Sequence, residues 1–243
     1  MVETLKIYTF SPDWGLPATG PFALKLLTWL KLAGLPYEQV YQDNPAKGPT
    51  GKSPWAEIDG KPVGDSARII DALSRRCGFD LDSELSPEQK ADGRAWLRAF
   101  EEGFHQILEW ELFVHPAGRA YMDATITQAT PPLIGRVIAN RVCKHFANQL
   151  NARGIGRFAP EEIAAIGRAD LDALATRLQG RSYLVADWPS LADLAVFGQL
   201  APMVRWPMAT PVADHAKSLP EIVSYVERIV GLCFPRQTAQ TST

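Results

Sequence analysis

Apolar positions along the chain change their period near residue 80. Before it, strand-like and helix-like stretches alternate; after about residue 86, apolar residues recur at three- and four-residue steps, broken by Pro and Gly. Leu5 to Phe10 (LKIYTF) mixes β-branched and aromatic residues with apolar alternation, which predicts a strand, and a Pro- and Gly-rich loop follows from Ser11 to Gly20. Pro21 suits a first helical turn. Phe22, Leu26, Leu27, Leu30 and Ala33 then share one face of a helix capped by Gly34. Tyr37 to Tyr41 predicts a second strand, and the segment after it is too rich in Pro and Gly to assign. Trp55 to Asp59 and Lys61 to Gly64 flank Asp59-Gly60, a pair that favours a tight hairpin, so the two are expected to be antiparallel neighbours. A helix starts at Ser66. This order describes a small α/β unit whose first connection is expected to be a right-handed crossover.

After the linker GFDLDSEL, Ser86-Pro87-Glu88-Gln89 combines an N-cap serine, a proline in the first turn and a glutamine three residues after the cap. Trp96, Leu97, Phe100, Phe104, Ile107 and Leu108 follow at helical spacing, predicting a long amphipathic helix. Further helices are predicted at about Pro131 to Ala152, Pro160 to Leu178, Ser190 to Val204 and Pro220 to Leu232. The expected division is an α/β domain over residues 1–80, an all-helical domain over 86–236, and a small polar tail, 237–243, expected to be disordered.

Composition narrows the function classes. Of 243 residues, 46% are hydrophobic and 21% charged, enough apolar side chain for a sizeable core. Twenty-five basic and 27 acidic residues leave a formal charge of −2 with no basic run, which argues against a nucleic-acid partner. No apolar stretch approaches the roughly 20 residues of a membrane span, and MVETLKIYTF has no basic segment followed by an apolar one, so a cytoplasmic protein without membrane association is expected. Cys77, Cys143 and Cys233 are too few and too far apart for a disulfide scaffold or a zinc knuckle; buried free thiols are expected. Glu101, His105 and Glu109 repeat every four residues on one helical face, but no Glu-x-x-His from another helix completes a carboxylate-bridged site, so they are read as a solvated or dimer-facing stripe and no metal is expected. Phosphate loops and GxSxG elbows are absent.

A βαβ-ββα unit followed by a helical domain resembles the glutathione transferase superfamily, and four stretches carry the likeness. Gly51-Lys52-Ser53-Pro54-Trp55 resembles the cis-proline loop of its thioredoxin-like domain. Gly64-Asp65-Ser66-Ala67-Arg68-Ile69-Ile70 is similar to the acid-serine pair that opens the next helix. Tyr183 to Asp193 (YLVADWPSLAD) resembles the capping box of the central helix of the helical domain. Trp14-Gly15-Leu16-Pro17, the GRFAPEEI stretch over 156–163 and Tyr225 to Ile229 are similar to the branch of metaxin-like and failed-axon-connections-like proteins and their bacterial relatives.

That resemblance implies a thioredoxin-like α/β domain, an all-α helical domain, glutathione as cosubstrate, a small apolar electrophile and a homodimer. It implies that Ser53, beside Pro54, pairs with the cysteinyl backbone of glutathione, that Asp65 and Ser66 hold its γ-glutamyl end, that Lys52 meets the glycine carboxylate, and that Trp14 also contributes. Physically, a helix N-terminus opened by an N-cap serine attracts a carboxylate, and a free α-amine calls for a carboxylate partner. Trp14, Phe104, Leu108 and Phe113 are expected to line the electrophile pocket. The reacting group departs from the pattern: the residue before Pro21-Phe22 is Gly20, which has no side chain to activate a thiol. Ser11 and Thr19 are the candidate catalytic residues, with Tyr8 and the Trp14 indole as further donors. A transferase and a non-catalytic binding or scaffold protein of metaxin type both stay open.

Overall fold

The computed structural model describes residues 5–235; the tail assigned to 237–243 lies outside them. Strand β1 (Leu5–Thr9) pairs parallel with β2 (Tyr37–Tyr41) and antiparallel with β3 (Trp55–Ile58), which pairs antiparallel with β4 (Lys61–Gly64), giving the order β2-β1-β3-β4. Parallel neighbours cannot be joined by a hairpin, and helix α1 (Pro21–Leu32) makes the crossover. The hairpin between β3 and β4 turns at Asp59 and Gly60, with φ of 51° and 69°, the left-handed pair that matches strand twist. Helix α2 (Ser66–Cys77) follows. The unassigned stretch before β3 holds a single 3₁₀ turn, Pro45–Lys47, whose first amide is capped by Asn44.

The long helix after Ser86 is α3 (Pro87–Arg98), which runs through a π-helical turn at Ala99–Phe104 into α4 (His105–Phe113). Its capping box forms as the sequence predicts, Gln89 N donating to Ser86 Oγ and Ser86 N to Gln89 Oε1. Then come α5 (Pro116–Gln128), α6 (Pro132–Arg153), α7 (Pro160–Leu178), α8 (Leu191–Arg205), α9 (Pro211–Ser218) and α10 (Pro220–Cys233). Sequence reasoning missed α5 and α9, because both are capped from outside the usual residue set. His115 Nδ1 accepts from Ala117 N at the start of α5. The buried Glu111 accepts from Thr210 Oγ1, Val212 N and Ala213 N at the start of α9, at 2.6, 2.7 and 3.0 Å.

Helix α8 is the axis of the molecule. Twelve of its residues, Ala192 to Met203, are buried, and Asp193 closes a capping box with Ser190 while also accepting from Leu184 N and Tyr225 Oη. On one side α8 contributes Val196, Phe197 and Leu200 to the helical core; on another it meets α1, whose residues Ala23 to Leu30 are all buried. Leu16 and Leu24 of the α/β part join the helical core, while Leu194 joins the core under the sheet. Each such Leu or Phe stabilises by about 1.5–3 kcal/mol on burial, and each of the two cores draws residues from both parts. Gly198 permits the contact: a Cβ there would stand 2.3 Å from the Pro21 carbonyl oxygen.

Two expectations are corrected. Glu101, His105 and Glu109 are not a solvated stripe. Glu101 pairs at 2.8 Å with Lys25, only 1% exposed on α1, and His105 binds Gln199 of α8 through Nδ1 and faces Glu109, which Arg153 of α6 also holds at 2.7 Å. These contacts link α1, α6 and α8 to the α3–α4 helix, and the buried Lys25 and Glu109 each have the partner that a buried charge needs. Cys77 is exposed, whereas Cys143 and Cys233 are buried; burial pushes the Cys233 thiol up to about 11.

Candidate functional site

Register gathers the candidate residues at one end of the sheet. Tyr8 opposite Trp55 and Trp55 opposite Gly64 place the end of β1, the Ser53-Pro54 bond and Asp65 side by side. Because β2 runs parallel to β1, α1 must return antiparallel to both, which sets its first residues at the same end as the loop it leaves. The first turns of α1 and α2 therefore face the region where Ser53 enters β3.

The Ser53-Pro54 bond is cis, and Ser53 Oγ is enclosed with no partner among the described residues. Lys52 is exposed. At α2 the expected roles shift by one residue. Asp65, not Ser66, is the N-cap: its Oδ1 accepts from Arg68 N at 3.0 Å, and Ser66 is the first helical residue, 3% exposed. Asp65 is itself exposed and sits at φ 80°, ψ 124°, a backbone region that L-residues rarely occupy and that costs on the order of 1–3 kcal/mol. The amides of Ser66 and Ala67 have no acceptor among the described residues, as expected for the first turn of a helix.

Helix α1 opens without a side-chain cap at Gly20, whose φ of −80° is ordinary for any residue. Pro21 has no N–H, and Ala23 N and Leu24 N both donate to Gly20 O at 3.0 Å. That leaves the amides of Gly20 and Phe22 as the donors at this end. No acidic residue lies in the first turn to oppose an anion there.

The side-chain candidates are placed as follows. Ser11 is bound to Asp43, its Oγ to Oδ2 and its N to Oδ1, each at 2.8 Å. Thr19 is half-buried at the loop end and has no side-chain hydrogen bond among the described residues. Tyr8 stacks on Trp55 with ring centroids 3.5 Å apart; burial and the nearby Glu57 raise its phenol above the ordinary value, away from thiol activation. The Trp14 indole N–H is already donated, at 2.9 Å, to Tyr121 Oη of α5.

The expected electrophile wall is corrected on two residues. Phe104 and Leu108, at 0% and 3% exposure, lie inside the helical core and offer no surface to a ligand. Phe113 is half-buried and stacks on Phe146 of α6 with centroids 3.8 Å apart. Trp14 lies at the junction, edge-on to Trp206 and tilted against Tyr121, each centroid 6.0 Å away. Sequence reasoning had no signal for Tyr121, which meets Asp13 and Trp14 from more than a hundred residues downstream.

Two family models match: a glutathione S-transferase N-terminal domain over residues 21–118 and a glutathione S-transferase C-terminal domain over 167–229. An isoprene-epoxide–glutathione S-transferase of Rhodococcus sp. (strain AD45) is 28% identical across 93% of this chain and 97% of its own. Failed axon connections of Drosophila melanogaster is 30% identical across 96% of this chain, which spans 59% of that protein's length, and metaxin-1 of Mus musculus is 25% identical across 97% of this chain and 77% of its own. Among solved structures, a β-etherase from Sphingobium sp. strain SYK-6 shares the fold at a TM-score of 0.61, with 22% identity over 93% of this chain and 95% of that one. The chain belongs to the glutathione S-transferase superfamily and fits its metaxin-like branch.

Proposed function

We propose that this protein binds glutathione at the gathered end of its sheet and transfers it to a small apolar electrophile. The observation that carries this reading is Asp65: an exposed carboxylate held in a rare backbone conformation at the mouth of α2, across the hairpin from a serine hydroxyl with no partner among the described residues. Strain kept at one solvent-facing position points to use of that position. In this reading the γ-glutamyl carboxylate meets the amides of Ser66 and Ala67, and the ammonium meets Asp65. Ser53 pairs with the cysteinyl backbone, and Lys52 meets the glycine carboxylate.

The thiol then lies at the start of α1, where the donors are the Gly20 and Phe22 amides. A helix terminus contributes about 0.3–1 kcal/mol and at most about 2, which lowers a thiol pKa of about 8.5 by at most about 1.5. That raises the thiolate at neutral pH from a few per cent to about 5–15%, and to about half at most, without any side-chain nucleophile. With the Rhodococcus relative named for an epoxide, the favoured electrophile is a small apolar epoxide. The thiolate sulfur forms a C–S bond as the ring C–O bond breaks, and the alkoxide takes a proton from solvent. The reading includes a cytoplasmic homodimer; the exposed Ile134, Val137 and Ile138 on one side of α6 are aliphatic surface that a second copy would cover. Sedimentation finding only monomer at micromolar concentration would remove the dimer.

The test is conjugate formation from glutathione and 1,2-epoxybutane or 1-chloro-2,4-dinitrobenzene, read by mass spectrometry. Ser11→Ala and Thr19→Ala should each keep the rate within about tenfold of wild type; a loss of about a hundredfold or more at either names that residue as the activator and overturns the backbone account. A second reading, a binding or scaffold protein, draws on Gly20 and on the engagement of Ser11 and Trp14 elsewhere. It prevails if glutathione binds and no conjugate forms.

A further inference from the structure

We propose that Tyr121 is a positioning residue: from the helical domain, its phenol holds the turn Asp13–Leu16 and so sets the loop that delivers the chain to the start of α1. Three residues form a closed cycle through two side-chain bonds and the Trp14 backbone amide. Tyr121 Oη donates to Asp13 Oδ2 at 2.5 Å and accepts from Trp14 Nε1 at 2.9 Å, while Asp13 Oδ1 accepts from Trp14 N at 2.7 Å. Hydrogen bonds to an ionised group are the stronger kind, and one phenol here fixes both the carboxylate and the indole.

The turn needs such a hold. Trp14 and Gly15 have φ of 53° and 69°, and a bulky residue is uncommon in the left-handed region. Within the turn a single backbone bond, Leu16 N to Asp13 O at 2.8 Å, opposes reversal. Its tip reaches into the helical domain at three further points. Leu16 is buried in the helical core, Trp14 packs edge-on against Trp206, and a Cβ at Gly15 would meet Arg205 Nη1 at 3.4 Å. The loop thus starts and ends in the α/β part while its tip is anchored across the boundary. Tyr121 is the polar part of that anchor. Catalysis by the phenol is disfavoured, because burial and the Asp13 bond raise its pKa and keep the proton in place.

The kinetic side of this inference rests on the transferase reading; the structural side does not. Amide hydrogen exchange over residues 10–20 is therefore measured without ligand on full-length wild type, Tyr121→Phe, Asp13→Asn and the double variant. Each single variant should exchange in that loop at least about tenfold faster, with α2 and α8 unchanged, and the double should be no faster than the singles, since one unit is being broken. Asp13→Asn, on a surface turn, keeps the test usable if Tyr121→Phe folds poorly. Titration with glutathione should show weaker binding by about three- to tenfold in the variants, with the pH profile of conjugation keeping its shape. Unchanged loop exchange in both single variants overturns the proposal, as does loss of the alkaline limb of the profile in Tyr121→Phe, which would make the phenol a catalytic acid. Absence of glutathione binding in wild type removes the transferase reading, and the exchange result alone then decides the anchor.

Discussion

Gly198→Ala should harm both stability and the site, although it adds one methyl group. The added Cβ would stand 2.3 Å from the Pro21 carbonyl oxygen, 3.2 Å from its carbon and 3.4 Å from Lys25 N. Ordinary carbon–oxygen contact begins near 3.2–3.5 Å, so α1 and α8 must separate by about 1 Å. Backbone atoms cannot escape by changing rotamer, which puts the cost at or above the upper part of the usual overpacking range of about 1–3 kcal/mol. The shift would also stretch the Lys25–Glu101 pair, 2.8 Å long and closed from water on the lysine side. We expect a loss of about 2–4 kcal/mol in urea unfolding followed by far-ultraviolet circular dichroism. Because the contact is at the first residue of α1, glutathione affinity should fall as well. Gly231→Ala, in α10 with nothing within 4 Å of the added atom, is the control; it should be neutral or stabilising by up to about 1 kcal/mol. A Gly198→Ala protein within about 0.5 kcal/mol of wild type would refute the close approach of α1 to α8 and the reasoning built on it.

Three further outcomes follow from polar groups of the helical domain. Glu111→Ala leaves Thr210 Oγ1 and the amides of Val212 and Ala213 without their acceptor and should lower stability by about 2–4 kcal/mol by calorimetry; a loss under about 1 would contradict the capping role. Burial lowers the His115 pKa below 6.5, so the neutral ring that caps α5 is favoured by folding, and that contribution is present above 6.5 and lost as pH falls below it; the stability of wild type relative to His115→Asn should decline from pH 7.5 to 5, and a pH-independent difference would refute the cap. Burial raises Glu109, but His105 and Arg153 outweigh it and leave the carboxyl below 4.5, so its contribution is present above pH 4.5 and lost below it; the advantage of wild type over Glu109→Gln should fade there in acid urea titrations, and an advantage undiminished down to pH 3 would refute the pairing.

What the sequence made legible is local. Apolar period and turn residues found all four strands and α1, α2 and α7, because Asp59-Gly60, Pro21 and Pro160 act through backbone preferences of their own. The Ser86 and Ser190 capping boxes were readable for the same reason. What failed is non-local. Helices α5 and α9 depend on acceptors at His115 and Glu111, the latter a hundred residues from the amides it caps. The Glu101, His105 and Glu109 face looked solvated because Lys25, Gln199 and Arg153 reach it only after α1, α8 and α6 have packed. Helical spacing marked Phe104 and Leu108 as apolar without telling core from pocket, and the folded chain encloses both. At the candidate site, the order of Ser53, Asp65 and Ser66 along the chain was informative, while the exchange of capping from Ser66 to Asp65 depends on a backbone angle that no residue preference predicts.

Isothermal titration of the full-length protein with glutathione tests the central claim most directly. The account predicts one site per chain with an affinity on the order of micromolar to millimolar, in the range of ordinary substrate binding, and about tenfold weaker binding in Asp65→Ala, which loses the partner of the ammonium group. No heat of binding at about 10 mM glutathione, or full affinity in Asp65→Ala, would contradict it.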